Sequence, residues 1–276
     1  MGTSWSNEEE KGSSSQQQQA HHQPVYHSDS EALVARTSQN PGLHTPLISK
    51  NNSHHHHVNE PNNKELAKRV QLKLPHNFEA IIKDINSDSP VDRSSSEKLY
   101  EQLHVGVFLN GRMKKYWVDK KGNNCFMVFA DGLKITWAEN PTHWYLHTTQ
   151  TSDHGNITIA QLRNVAWLEV HGRLHTTHLT PGVTYQVAFL IMLEYASYGW
   201  DVPVNFRLTL PNGNKQEHKE NFNEKPKGEW LRIPAGEFKV SSPENVGEIE
   251  FSLYEYDGGS WKKGLIVKSA IIEPKY

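Results

Sequence analysis

The hydrophobic pattern of the chain changes character twice. Through about residue 71, apolar residues are sparse and follow no period, while Ser13 to Ser15, Gln16 to Gln19 and His54 to His57 form single-residue runs. Such a segment buries too little apolar surface to offset the entropy of ordering it, so 1–71 is expected to be a disordered tail. A helical period then begins, with Phe78, Ile81, Ile82 and Ile85 three and four apart. A second short helix is predicted over "EKLYEQL", with Leu99 and Leu103 on one face and Ser94 to Ser96 ahead of it as capping residues.

From about Lys114 the period falls to two and the residues become β-branched and aromatic. Ten segments carry this signature, among them "KKYWVD", "NCFMVFA", "LKITW", "VAWLEVHGRL", "VTYQVAFLIMLEY" and "EIEFSLYEYD". Asn140-Pro141, Pro211-Asn212-Gly213 and Asp257-Gly258-Gly259 break them at close spacing, the pattern of an antiparallel β-sandwich rather than of alternating strands and helices. In "EIEFSLYEY", Ile249, Phe251 and Leu253 share one face and Glu248, Glu250, Ser252 and Tyr254 the other, which predicts a half-buried strand. The organisation read from these shifts is a tail over 1–71, a helical lead-in over 72–110 and an all-β domain over 111–276.

Composition narrows the function classes. Only 36% of residues are hydrophobic and the mean hydropathy is -0.71, low values that agree with an unpacked tail. A net charge of -2 removes the basic footprint that nucleic-acid binding requires. There is no apolar run of membrane-spanning length and no signal-peptide pattern at the N-terminus, so a cytoplasmic or nuclear location is expected. Cys125 is alone, suits a reducing compartment and is read as a buried structural thiol. The start Met1-Gly2-Thr3-Ser4-Trp5-Ser6 fits a myristoylation pattern, but Glu8 to Glu10 stand where a basic patch would be needed to support an anchor.

Signatures of catalysis are scarce. The chain has no dinucleotide-binding or phosphate-binding glycine loop, no nucleophile elbow and no His-Glu-x-x-His. His171, His175 and His178 would form a metal site only by converging around an open position, and a polar turn is the simpler reading. Glu248 and Glu255 are seven apart, on opposite faces of an ideal strand, which gives no support to a glycosidase pair. The expectation is a binding module, not an enzyme, with no metal and no cofactor.

Tryptophan is what the β region offers: Trp117, Trp137, Trp144, Trp167, Trp200, Trp230 and Trp261. An indole is a flat apolar face with one donor, suited equally to a sugar ring and to a core. Alternation aligns Leu133, Ile135 and Trp137, so Trp137 either ends a core-facing row or meets a ligand. Trp144 follows the Pro141 turn, its parity is independent, and the same two readings apply. Glu139 and Asn140 lie in that turn, where loop polar groups specify ligands.

The stretches "KKYWVDKKGNNCFMVFADGLKITWAENPTHWYL", "LRNVAWLEVHGRLHTTHLTPGVTYQVAFLIMLE", "YGWDVPVNFRLTLPNG" and "GEIEFSLYEYDGGSWKKGLIVKSAIIEPKY" resemble the plant phloem protein 2 family, which shares its lectin domain with the tobacco-agglutinin type. The resemblance runs in order from about Leu72 to Tyr276. It implies a jelly-roll-like sandwich that binds N-acetylglucosamine oligomers (chitin fragments) and the chitobiose core of N-glycosylated proteins without a metal, in phloem, with a homodimer as a route to avidity. It places the sugar site on Trp137, Asn140 and Trp144, with Glu248 and Glu255 as acidic members. The sequence departs from the family pattern at Asp131-Gly132, at His143 and at Leu146, the last standing where a third tryptophan is frequent. Two other readings accompany it. Leu74-Pro75, Ile81-Ile82 and Ser89-Pro90 echo an F-box, which would make the protein a glycan-reading adaptor for ubiquitin ligation, and the change at Leu146 fits a structural phloem protein whose sugar site has decayed.

Overall fold

A computed structural model describes residues 74–83, 90–240 and 246–276. The tail over 1–71, its His54 to His57 run and the Gly2 pattern lie outside the described residues, as does Ile85. Among the described residues thirteen strands form two antiparallel sheets, the all-β sandwich expected from the alternating pattern. The larger sheet holds β1 (Val107–Leu109), β2 (Lys114–Val118), β3 (Asn124–Phe129), β5 (Trp144–Thr151), β6 (Gly155–Leu162), β8 (Thr184–Tyr198), β11 (Trp230–Lys239) and β13 (Lys263–Pro274). The smaller one holds β4 (Lys134–Ile135), β7 (Leu168–His175), β9 (Val204–Thr209), β10 (Lys215–Glu220) and β12 (Glu248–Glu255). The long strand β13 runs through the middle of the larger sheet, pairing with β8 on one side and with β3 and β6 in succession on the other.

The core lies between the sheets because alternation gives each one an apolar inner face. Phe189 of β8 meets Phe206 of β9 and Phe251 of β12 edge-on, each at 5.9 Å, so one ring from the larger sheet is clamped by two from the smaller. Burying each such ring contributes about 1.5–3 kcal/mol. Gly172 of β7 lies under Phe251, and a β-carbon there would collide with the ring. That glycine lets strand and ring approach.

Two short helices close onto the same core. Helix α1 (Phe78–Ile82) buries Phe78 and Ile81, and α2 (Ser96–Val105) buries Leu99 and Leu103, the residues picked out by helical spacing. Ser95 caps α2, its Oγ accepting from the Lys98 N–H at 3.2 Å. The stretch read as a lead-in over 72–110 therefore contributes core residues and also contains β1.

Three strands were not among the ten predicted segments. In β10 every residue of Lys-Gln-Glu-His-Lys-Glu is polar, because the strand is an outer edge of the smaller sheet. Gln216 of β10 accepts from the Glu237 N–H of β11 at 2.9 Å, tying that edge to an edge of the other sheet. Strand β1 has only three residues, and β6 mixes Ile157 and Ile159 with polar neighbours.

Candidate functional site

The segment from Leu133 to Trp144 leaves the smaller sheet at β4 and enters the larger one at β5. Alternation would carry Trp137 inward behind Ile135, but β4 ends at Ile135 and Trp137 adopts φ 63. This left-handed backbone turns the indole away from the core row and leaves it 42% exposed. For a bulky residue such a φ is an outlier that costs of order 1–3 kcal/mol and persists only when its surroundings enforce it. Here they do. The Thr136 N–H donates to the Glu169 carbonyl at 3.0 Å, the Asn140 N–H to the Trp137 carbonyl at 3.1 Å, and the N–H groups of His143 and Trp144 to the Asn140 carbonyl. Asn140 Oδ1 accepts from the Thr142 N–H and hydroxyl at 3.0 and 2.8 Å, folding the loop through Pro141. The Asn140 carbonyl and Oδ1 thus serve the turn, and its amide N–H₂ is the group left to address a ligand. His143 Nδ1 bonds the Asn164 carbonyl at 2.8 Å and the ring lies 5.5 Å from that of Trp137, a fixed wall beside the indole.

Trp144 is a different kind of residue. It is 1% exposed, belongs to the core and pairs across to Leu162 of β6. Its ring is no stacking face, which corrects the reading that made it half of a sugar platform: β5 begins at Trp144 and its register points the residue inward. Leu146, two residues on, shares that side and packs against the same core. The departure at Leu146 therefore concerns packing beneath the turn rather than the exposed surface.

Beside Trp137 is a carboxylate hub. Glu169 of β7 accepts from Thr136 Oγ1 at 2.9 Å and from the Trp167 indole N–H at 3.1 Å, and its other oxygen meets His171 Nε2 at 2.9 Å. Burial pushes its pKa up, but the bonds from His171, Trp167 and Thr136 together outweigh this and hold the carboxyl below its ordinary range. Trp167 is 42% exposed and stacks on Tyr256 at 4.3 Å and 16°, while Tyr256 stacks on Tyr254 at 5.3 Å. The sequence singles out Trp167 and His171 separately but not Glu169 between them, although parity joins the three: positions 167, 169 and 171 share one face of "VAWLEVHGRL".

The same outer face continues as a groove of about 590 Å³ lined by Lys134, His171, Arg173, Glu248 and Glu250, among others. His171 Nδ1 lies 3.7 Å from Glu250, and Arg173 pairs with Glu250 at 2.7 Å and with Glu248 at 3.2 Å. From Glu169 to Arg173 the strand advances roughly 13 Å, so a polar track runs along this face between the Trp137 turn and Glu248.

Glu255 is elsewhere. It is 1% exposed at the end of β12 and forms an ion pair with Lys262, itself 0% exposed. Lys262 Nζ also donates to the carbonyls of Ala166 at 2.8 Å and Ser260 at 2.9 Å, and Glu255 Oε1 accepts from the Gly258 N–H at 2.8 Å. The buried pair thus pins the loop after β12, with Tyr256 on it, against the chain leading into Trp167. Expected as a member of the site, Glu255 touches it only through this loop. Glu248 and Glu255 do lie on opposite faces, as their spacing predicted.

The three histidines do not converge: His171 sits between Glu169 and Glu250, while His175 bonds Thr177 Oγ1 at 2.8 Å with its ring 6.4 Å from that of His178. Cys125 is buried, and burial pushes its thiol pKa far up, the opposite of a nucleophile's environment. Among the described residues no helix is long and apolar enough to cross a membrane.

The chain matches the family model described as phloem protein 2 over residues 123–274. It is similar to the phloem protein 2-like protein A1 of Arabidopsis thaliana, 45% identical over 75% of this chain and 84% of that one. A protein of Luffa acutangula named a lectin is 41% identical over 74% of this chain and 97% of its own. An F-box protein of Arabidopsis thaliana, PP2-A15, is 28% identical over 74% of each. With the sandwich, the helices packed on it and this extent of identity in view, the chain belongs to the phloem protein 2 family.

Proposed function

We propose that the protein is a non-enzymatic lectin that binds N-acetylglucosamine oligomers, including the chitobiose core of N-glycans, on the outer face of its smaller sheet. The observation that carries this reading is Trp137, a tryptophan held at φ 63 with its ring 42% exposed beside His143. Other tryptophans are as exposed, but Trp137 alone among them also holds a left-handed backbone, and backbone outliers of this kind cluster at ligand clamps. One sugar stacks on Trp137, the Asn140 amide donates to its acetamido or hydroxyl oxygens, and further rings follow β7 past Trp167 and His171 toward Glu248. Glu169, Glu250 and Glu248 are acceptors for sugar hydroxyls, and no bond is broken. Each contact contributes around 1 kcal/mol, so affinity rises with oligomer length, and a dimer or a multivalent glycoprotein raises it again. Trp144 and Glu255 support this surface from below.

The similarity to an F-box protein keeps the adaptor reading in view. In this chain, however, the segment that echoes an F-box spends Phe78 and Ile81 on the sandwich core, which among its described residues leaves little apolar surface to dock a ligase subunit.

Titration of the full chain with chitotriose in EDTA tests the proposal, with a variant lacking residues 1–71 alongside. We expect saturable binding of chitotriose, weaker binding of the monosaccharide, and no difference between full-length and truncated protein. Loss of binding on adding EDTA, or a response equal for chitotriose and an unrelated trisaccharide, would refute this reading.

A further inference from the structure

A second polar cluster lies on the opposite side of the larger sheet, away from the sugar face. There Met127, Phe129, Ile157, Ile159 and Ile271 form an apolar floor separate from the main core. The tip of the β5–β6 hairpin bends over this floor to reach the turn between β1 and β2. Arg112 in that turn donates from Nε to the Asn156 carbonyl and from Nη2 to the His154 carbonyl, both at 2.9 Å. Two lysines point into the seam, Lys115 of β2 at 9% exposure and Lys268 of β13 at 7%.

The charges at this seam do not balance. Lys115 Nζ meets His154 Nδ1 at 3.2 Å, and Lys268 Nζ meets Asp153 Oδ2 at 3.4 Å, the oxygen that His154 Nε2 also approaches at 3.0 Å. Two lysines thus share one carboxylate, with Arg112 stacked on the Phe108 ring at 3.6 Å beside them, and Asp153, with 55% of its side chain exposed at the hairpin tip, is held at the edge of the seam. Burial lowers the Lys115 pKa, Asp153 opposes this, and the neighbouring Arg112 and Lys268 lower it further. Besides these bonds Lys115 faces the Phe108 ring at 5.9 Å and Lys268 the Trp230 ring at 5.5 Å, but a ring is no hydrogen-bond acceptor for three N–H donors, so an acceptor-rich anion adds bonds that a buried ammonium needs.

We propose that this seam binds a small oxyanion, phosphate or sulfate, free or as a monoester, clamped between the ammonium groups of Lys115 and Lys268 with Arg112 beside them. The anion supplies the missing charge and several acceptor oxygens at once. The apolar floor strengthens each of those contacts by excluding water. Its occupation fastens the hairpin tip to β2 and β13, and it is independent of the sugar face.

The test is titration of the full chain with inorganic phosphate against chloride at matched ionic strength, read by melting temperature and by the NMR signals of the His154 ring. Phosphate should raise the melting temperature and shift the His154 signals saturably. Lys115→Met and Lys268→Met should each weaken the response about tenfold or more, while chitotriose binding persists in both. Asp153→Asn removes the competing carboxylate and should tighten phosphate binding, which keeps the test decisive if a lysine variant fails to fold. Glycerol 3-phosphate in a parallel arm shows whether an ester is accepted as well as the free ion. Equal effects of chloride and phosphate, unaltered affinity in the lysine variants, or weaker binding by Asp153→Asn would overturn the proposal.

Discussion

Replacing Glu255 by alanine should destabilise the domain by about 3–5 kcal/mol, because it strands the Lys262 ammonium, 0% exposed, without its counter-charge. The backbone carbonyls of Ala166 and Ser260 still accept from Nζ but carry no charge. Glu255→Ala should also free the loop that carries Tyr256 and so loosen the Trp167 stack. Removing both charges together, as Glu255→Gln with Lys262→Met, should recover much of the loss, since a buried pair exchanged for neutral groups of similar volume is often nearly neutral. Urea unfolding of the two variants checks both parts. A loss below about 1 kcal/mol for Glu255→Ala would mean that the pair is not what holds this loop.

Trp144→Ala carries the second large effect. Emptying a fully buried indole site costs about 3–5 kcal/mol, through lost transfer energy and the cavity left beneath the turn. Trp137→Ala, seven residues earlier, should change stability by less than about 1 kcal/mol, and Trp137→Gly should raise stability slightly by relieving the left-handed backbone. Melting curves of the three variants separate the tryptophans. Equal destabilisation by Trp137→Ala and Trp144→Ala would show both rings to be core residues.

How much of this was readable beforehand divides along physical lines. Alternation in "EIEFSLYEY" put Ile249, Phe251 and Leu253 on the core face of β12, but the strand is not half-buried throughout: on the other face Glu248 is exposed while Ser252 and Tyr254 are buried. The helices were legible from Leu99 and Leu103 and a serine cap. Strand β10 was not, since its pairing comes from backbone bonds to β9 and needs no apolar residue. At the site, parity failed for Trp137 because a turn, not a strand, sets its direction, and one positive φ reverses the side on which a residue emerges. Nothing local fixed the side for Trp144, since only its partner across the sheet, Leu162, determines which way it faces. The hub at Glu169 needed the register of β4 on β7 to bring Thr136 to it. Glu255 illustrates a further limit: sequence supplies a carboxylate, but only the fold reveals that Lys262 lies against it.

The central claim is that sugar stacks on Trp137, and calorimetric titration of chitotriose into Trp137→Ala beside the unaltered protein tests it most directly. The account predicts a loss of about 2 kcal/mol or more in binding free energy, at least roughly thirtyfold in Kd, with the melting temperature nearly unchanged. Chitotriose affinity in folded Trp137→Ala equal to that of the unaltered protein would contradict it and move the site away from this turn.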